Sequence, residues 1–111
     1  MWIKAKIKVL SDERNGTSRT GNDWKSVDMV LEYAEYDSQG KPLMDEQTNK
    51  PVISKVSISA FNERVDELKN LGLKLGDEVW ADLRCWVDSK QSSRGTWYVQ
   101  NNITVRQFMR I

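Results

Sequence analysis

Leu71–Val105, LGLKLGDEVWADLRCWVDSKQSSRGTWYVQNNITV, reads as a turn, a long strand, a polar hairpin loop and a second long strand. In the first of these strands Val79, Ala81, Leu83, Cys85 and Val87 fall on one face, and Trp80, Asp82, Arg84 and Trp86 on the other. Such alternation is the period-two signature of a strand buried on one side. The outward face should be polar, yet it carries two tryptophans around an arginine. Each indole left on a wet face exposes a large apolar area. Flat rings interleaved with cations suit a partner with stackable rings and a phosphate backbone, as in a nucleic-acid single strand.

Working outward, residues 2–10 (WIKAKIKVL) form a strand with Ile3, Ala5, Ile7 and Val9 inward and Trp2, Lys4, Lys6 and Lys8 outward. The lysine row is either edge protection or a phosphate-tracking stripe. SDERNGTSRTGND is a loop, or a hairpin with a long flexible tip, holding Arg14 and Arg19. Trp24 and Lys25 stand at its exit. WKSVDMVLEY is the second strand, with Val27, Met29, Leu31 and Tyr33 inward and Trp24, Ser26, Asp28, Val30 and Glu32 outward. The polar, acidic 34–51 segment is expected to be the least structured part, able to fold over a ligand or a partner subunit. VISKVSISAF is the third strand, with Val56, Ile58 and Ala60 inward and Lys55, Ser57, Ser59 and Phe61 outward. A short helix follows, with Asn62 as N-cap, Val65, Leu68 and Leu71 on one face, and Gly72 as its stop.

In the closing hairpin DSKQSSRG is the loop, carrying Lys90 and Arg94. Trp97 and Tyr98 are adjacent, so one points to the core and the other away; the apolar parity favours Trp97 as core, and a bulge would swap them. The tail RQFMRI either extends the strand or packs Phe108 and Ile111 on a neighbour. Cys85, on the apolar parity, is expected to be a small core residue.

With 111 residues the chain is expected to be one domain around one core. Its net charge of +1 gives no global basic field, but residues 1–30 carry six Lys/Arg against four Asp/Glu, and residues 81–111 five against two. An antiparallel barrel brings those two regions together. One cysteine excludes an internal disulfide, and without histidine no Cys/His zinc site forms. No signal peptide or membrane-length apolar run is apparent, so a cytoplasmic protein is expected. The adjacent acids Asp12–Glu13 and Asp45–Glu46 lie in loops without acid–base spacing, so no enzyme, metal or cofactor is expected.

Three strands, a short helix and two more strands, with loops after strands one, two and four, is the order of the all-β, five-stranded OB-fold Greek-key barrel, the helix lying between strands three and four. Its ligand face uses strands two and three and the loops after strands one and four. Those loops carry Arg14/Arg19 and Lys90/Arg94.

SISAFNERVDELKNLGLKLGDEVWADLRCWVDSKQSSRGTWYVQNNITV resembles the second half of the bacterial single-stranded-DNA-binding proteins: a strand ending in Ala60-Phe61, a helix, the turn KLGDEV (Lys74–Val79) and a long hairpin with aromatics beside its loop. GTSRTGNDWKSVDMVLE is similar to the glycine-containing loop and second strand of that family and of its small uncharacterised relatives. The resemblance implies sequence-tolerant binding of single-stranded DNA, RNA being an alternative strand, in replication, repair, recombination or DNA transfer, by a homo-oligomer (dimer or tetramer). It places Phe61 at a stacking position, and Trp86 and Trp97 near the aromatics of the hairpin. Three departures stand out: Lys55 occupies the usual third-strand tryptophan position; the chain stops at Ile111 without the acidic C-terminal tail that recruits partners, so that role is not implied; and the acidic 34–51 segment is longer and more polar than the family pattern leads one to expect.

The expected stacking residues are Trp24, Phe61, Trp80, Trp86 and Tyr98, and the expected phosphate contacts Arg19, Lys25, Lys55, Arg84, Lys90 and Arg94. Arg84 has a rival role as a cation stacked on its neighbouring indoles. Trp80 and Trp86 have the alternative of burial under the 34–51 loop or against another subunit. The competing function is a protein–protein interaction module of a primosome-like or conjugation assembly, with weak or no nucleic-acid binding.

Overall fold

The computed structural model describes residues 1–111: β1 (Trp2–Leu10), β2 (Arg14–Thr17), β3 (Asp23–Ala34), β4 (Ile53–Phe61), α1 (Glu63–Asn70), β5 (Glu78–Gln91) and β6 (Trp97–Arg110). The architecture is mostly β, an open antiparallel sheet of six strands with one helix. The alternation of apolar residues places five of the six strands. The sixth strand is β2, formed where a loop or hairpin was expected: Arg14 pairs with Ser26 and Thr17 with Asp23, which leaves only Ser18–Asn22 as the tip.

Strand β3 is the hub. Leu31 has Ile7 on one side and Val56 on the other, and Ser26 has Arg14 on one side and Phe61 on the other. Strands β1 and β2 therefore lie end to end along one edge of β3, with β4 along the other. Strand β1 also pairs with β5, and β5 with β6. Within β1 the register slips: Ile7 opposes Leu31 and Val9 opposes Val30, so Lys8 is an extra residue. A bulge of this kind inverts the parity beyond it. Val9, expected inside, is 52% exposed, and Leu10 packs on the core in its place.

The core lies between the inner sheet face and α1, centred on Ile7, Leu31, Val79, Ala81 and Ala60, all inaccessible. The helix contributes Val65 and Leu68, each worth about 1.5–3 kcal/mol when fully buried. It ends as the sequence expects. Gly72 takes φ +66°, its N–H donates to the Lys69 carbonyl (3.0 Å), and the Leu73 N–H donates to the Leu68 carbonyl (3.1 Å). These two bonds, with Leu68 and Leu73 buried together, make a Schellman closure. The helix start differs from expectation. The Asn62 side chain does not cap it; its Oδ1 accepts the Lys25 N–H (3.1 Å), extending the β3–β4 ladder by one step. The Asn62 carbonyl instead receives the Val65 and Asp66 amides. Beside α1, the Lys69 ammonium lies 2.5 Å from Glu13 and holds that carboxyl below its ordinary pKa, tying the β1–β2 turn to the helix.

Two parts project from this body. The 34–51 segment is ordered rather than structureless. Glu35 donates to Val52 (3.1 Å), Leu43 to Glu35 (2.9 Å) and Val52 to Leu43 (2.8 Å), while Asp37 and Asp45 accept the amides of the turns that follow them. Its many polar residues serve these turns, which is why it shows no hydrophobic period. The second projection is the β5–β6 hairpin. Strand β1 begins opposite Asp82, and the Met1 carbonyl accepts the Leu83 N–H (2.7 Å), so beyond Leu83 strand β5 has only β6 beside it. The radius of gyration, 17.2 Å, exceeds the about 13 Å of a compact chain this long for this reason. No helix is long and apolar enough to cross a membrane.

Candidate nucleic-acid interface

Ten of the eleven candidate residues divide between two places. Trp24, Lys25, Phe61 and Arg19 gather at the β2–β3 hairpin. Trp80, Arg84, Trp86, Lys90 and Tyr98 lie on β5 and β6, and Arg94 in the turn between them. Lys4 pairs with Trp80, and Lys6 with Glu32, so Trp80 stands level with the end of β3. Trp24 sits at that strand's other end, roughly 30 Å away at the rise of an extended chain.

At the first place the Trp24 ring lies flat on the Gly16 backbone, where an added Cβ would come within 2.5 Å of an indole carbon. Glycine is needed for this approach rather than for a turn. Ser26, expected outward, does face outward by parity but is 2% exposed, because Trp24, Phe61 and Arg14 surround it on that face. Phe61 itself is 54% exposed. The electrostatics are unhelpful for phosphate: Asp23, Glu63 and Asp66 line the same groove as Trp24, Lys25 is paired with Asp66, and Arg14 is paired with Asp28 at 2.7 Å. Arg19, in the tip, has no ion-pair partner. A Gly16→Val substitution is expected to push Trp24 off the hairpin at a cost of about 1–2 kcal/mol, read as a changed near-ultraviolet circular dichroism and a lower denaturation midpoint.

Lys55 belongs to neither place. Register sets Lys55, Glu32, Lys6 and Glu78 side by side on β4, β3, β1 and β5. Opposite charges directly across a sheet support pairing. Lys55 and Lys6 thus stand opposite carboxylates; β1 has β3 on one side and β5 on the other at Lys6, so the lysine row does not protect a sheet edge and is a solvated row on an interior strand.

At the second place the outer face of the hairpin carries, along β5, Trp80, Asp82, Arg84, Trp86, Asp88 and Lys90, and along β6, Tyr98 opposite Lys90 and Asn102 opposite Trp86. The Arg84 guanidinium lies 5.0 Å from the centre of the Trp86 ring, within cation–π range. Both acids on this face are engaged: Asp82 with the N-terminal ammonium (2.9 Å), Asp88 with the Asn102 amide (2.9 Å). Arg84, Lys90 and Arg94 have no carboxylate partner. Trp80 and Trp86 are about one-third exposed and Tyr98 60%. Strand β5 runs on to Gln91, so Lys90 sits in the strand and only Arg94 in the turn.

The inner face of the hairpin corrects three expectations. Cys85 and Val87 keep the apolar parity yet are exposed, Val87 at 61%. Neither Trp97 nor Tyr98 is core; Trp97 is 63% exposed. The physical reason is common to all of them: the arm extends past the body, so parity no longer reports burial. With Val99 and the half-buried Ile103, Cys85, Val87 and Trp97 form an uncharged apolar strip opposite the Arg84–Trp86 face. At the tail, Phe108 is buried on the core and Ile111 is exposed.

Sequence reasoning put Trp2 only at the end of the phosphate-tracking stripe of the lysine row, and placed neither Tyr36 nor Leu43 in a site. Nothing in the local sequence marks Tyr36 or Leu43, which come together with Trp2 and Trp80 only through the fold of the 34–51 segment. Comparison with models of known protein families finds no match, and no curated protein matches the chain.

Proposed function

We propose that this chain is an OB-type barrel, with β1 and β2 as its single bent first strand, and that it binds single-stranded DNA with little regard to sequence. Support for the barrel comes from the strand order, from β1 shared between β3 and β5, and from the helix between β4 and β5. The likeness of Ala60-Phe61, KLGDEV and the long hairpin to the bacterial single-stranded-DNA-binding proteins is in line with it.

The observation that carries the functional reading is the outer face of the β5–β6 hairpin: stackable rings at Trp80, Trp86 and Tyr98 alternate with Arg84 and Lys90, and both nearby acids are already bonded. Bases stack on the rings, and the cations neutralise phosphates. Arg84 serves both ends, holding the Trp86 ring while presenting its charge.

Titration of the intrinsic tryptophan fluorescence with oligo-dT tests this. Three unpaired cations, Arg84 and Lys90 on the face and Arg94 in its turn, imply that log K falls against log salt with a slope of about −2. Absence of quenching and of a gel shift at low salt refutes the reading.

The apolar inner face favours a second reading, an interaction module in which Val87, Trp97 and Val99 meet another protein or another copy of this chain. Light scattering coupled to gel filtration separates the copy from other partners. A Val87→Asp variant that turns a dimer or tetramer into a monomer assigns the strip to self-association.

A further inference from the structure

A second aromatic feature lies beside the hairpin, where β1 and β3 part. Their ladder runs from Leu10–Met29 to Lys6–Glu32 and stops. Beyond it Trp2–Ala5 pair with β5 alone, and Tyr33 and Ala34 with β4 alone. The next pair, Lys4 with Ala34, is not made; Glu35 bonds to Val52 and Leu43 instead. The gap is a groove of about 630 Å³ walled by Trp2, Tyr33, Tyr36, Leu43 and Trp80, with Lys4 and Glu35 among its lining. That volume is in the range of small-molecule sites.

Its chemistry narrows the ligand. Four aromatic side chains and a leucine offer flat apolar surface. Charge is balanced: one lysine and one glutamate line the groove, and the Lys4 ammonium is 3.9 Å from Glu78. A phosphate finds no surplus cation here. The groove is not purely apolar, however. The Ile7 amide bonds toward β5, so the even-numbered residues of β1 direct their backbone groups toward β3, and at Trp2 and Lys4 no strand is there to receive them. Flat faces with a hydrogen-bonding edge between them match a planar heterocycle with polar edges, which is the description of a nucleobase.

We propose that this groove takes up one base, turned out of the strand that stacks along the outer face of the hairpin. Trp80 belongs to both surfaces and is the point of passage. The proposal rests on the single-strand reading above and adds to it an anchoring pocket built by β1 and the 34–51 segment.

The test begins with the unaltered protein. If oligo-dT fails to bind at low salt, the single-strand reading falls and the pocket with it. If oligo-dT binds, thymidine alone is titrated while the five indole N–H signals are followed by NMR. The Trp2 and Trp80 signals are expected to shift, and those of Trp24 and Trp97 to stay. A Trp2→Leu variant with an unchanged melting temperature is expected to bind oligo-dT about tenfold more weakly, and Tyr36→Leu likewise. Unmoved Trp2 and Trp80 signals, or wild-type oligo-dT affinity in both variants, overturns the pocket and leaves the hairpin reading standing.

Discussion

A Trp80→Ala/Trp86→Ala double variant is expected to bind oligo-dT at least thirty-fold more weakly than the parent. Each base stacked on an aromatic side chain is worth about 1–3 kcal/mol, so two lost platforms remove about 2 kcal/mol at the least. The two rings are six residues apart on one strand and share no partner, so their losses should add. Arg84 sharpens the expectation. With Trp86 gone its guanidinium loses the ring 5.0 Å away and is free to move, so the salt slope should persist while affinity drops. The control is Trp97→Ala, on the opposite face of the same arm and 63% exposed. It should leave affinity within twofold. If Trp97→Ala is the damaging change and the double variant is silent, strand binding belongs to the inner face. Fluorescence anisotropy with labelled oligo-dT reads all three proteins.

Replacing Glu67 by alanine is expected to lower stability by about 2–3 kcal/mol. This carboxylate, less than a quarter exposed, accepts the Phe108 N–H through Oε1 and an Arg64 Nη1 hydrogen through Oε2 at 2.7 Å. Arg64 in turn donates to the Arg106 carbonyl. Glu67 is therefore the clasp between α1 and β6. Its loss leaves the amide of a buried phenylalanine without its acceptor and leaves the Arg64 guanidinium only the Arg106 carbonyl and the exposed Glu63 carboxylate, and a buried unsatisfied amide is costly. Glu67→Gln keeps an oxygen for Phe108 and should recover about half of the loss. Glu63→Ala, at the exposed start of the same helix, should change stability by less than about 0.5 kcal/mol. Urea denaturation followed by far-ultraviolet circular dichroism measures each. Equal midpoints for Glu67→Ala and Glu63→Ala would show that the clasp contributes nothing.

Several features were readable from local chemistry. Alternation in WIKAKIKVL, WKSVDMVLEY and VISKVSISAF marks three strands within a residue or two of their ends, because a sheet buried on one face imposes period two on its own sequence. Gly72 marks the helix stop because few residues accept positive φ. The turn KLGDEV is placed equally well: Gly76 donates to the Ile7 carbonyl, and Asp77 receives the Ile7 amide. Where parity misled, a neighbour was missing or added. At Val9 a bulge added a residue. At Cys85, Val87 and Trp97 the body of the protein ended before the strand did. At Ser26 three large side chains on the outer face closed over a hydroxyl that the pattern alone assigns to water.

The candidate interface shows the same division. Trp80, Arg84 and Trp86 could be put on one face from sequence, since residues two apart on a strand must share it. Their separation from Trp24 and Phe61 could not, because it depends on which strands β3 pairs with and at what register. Neither could the neutralisation of Lys25 by Asp66, 41 residues later, or the alignment of Lys55 with Glu32. Sequence by itself determined five of the six strands, the helix stop and the aromatic–cationic face of the hairpin, all of which follow from contacts between near neighbours and from backbone geometry. Tertiary structure alone decided which cations stay free, which apolar residues remain uncovered, and that Trp2, Tyr36 and Leu43 meet Trp80 in one groove. Those outcomes depend on long-range pairing, and a residue's own neighbours along the chain carry no record of it.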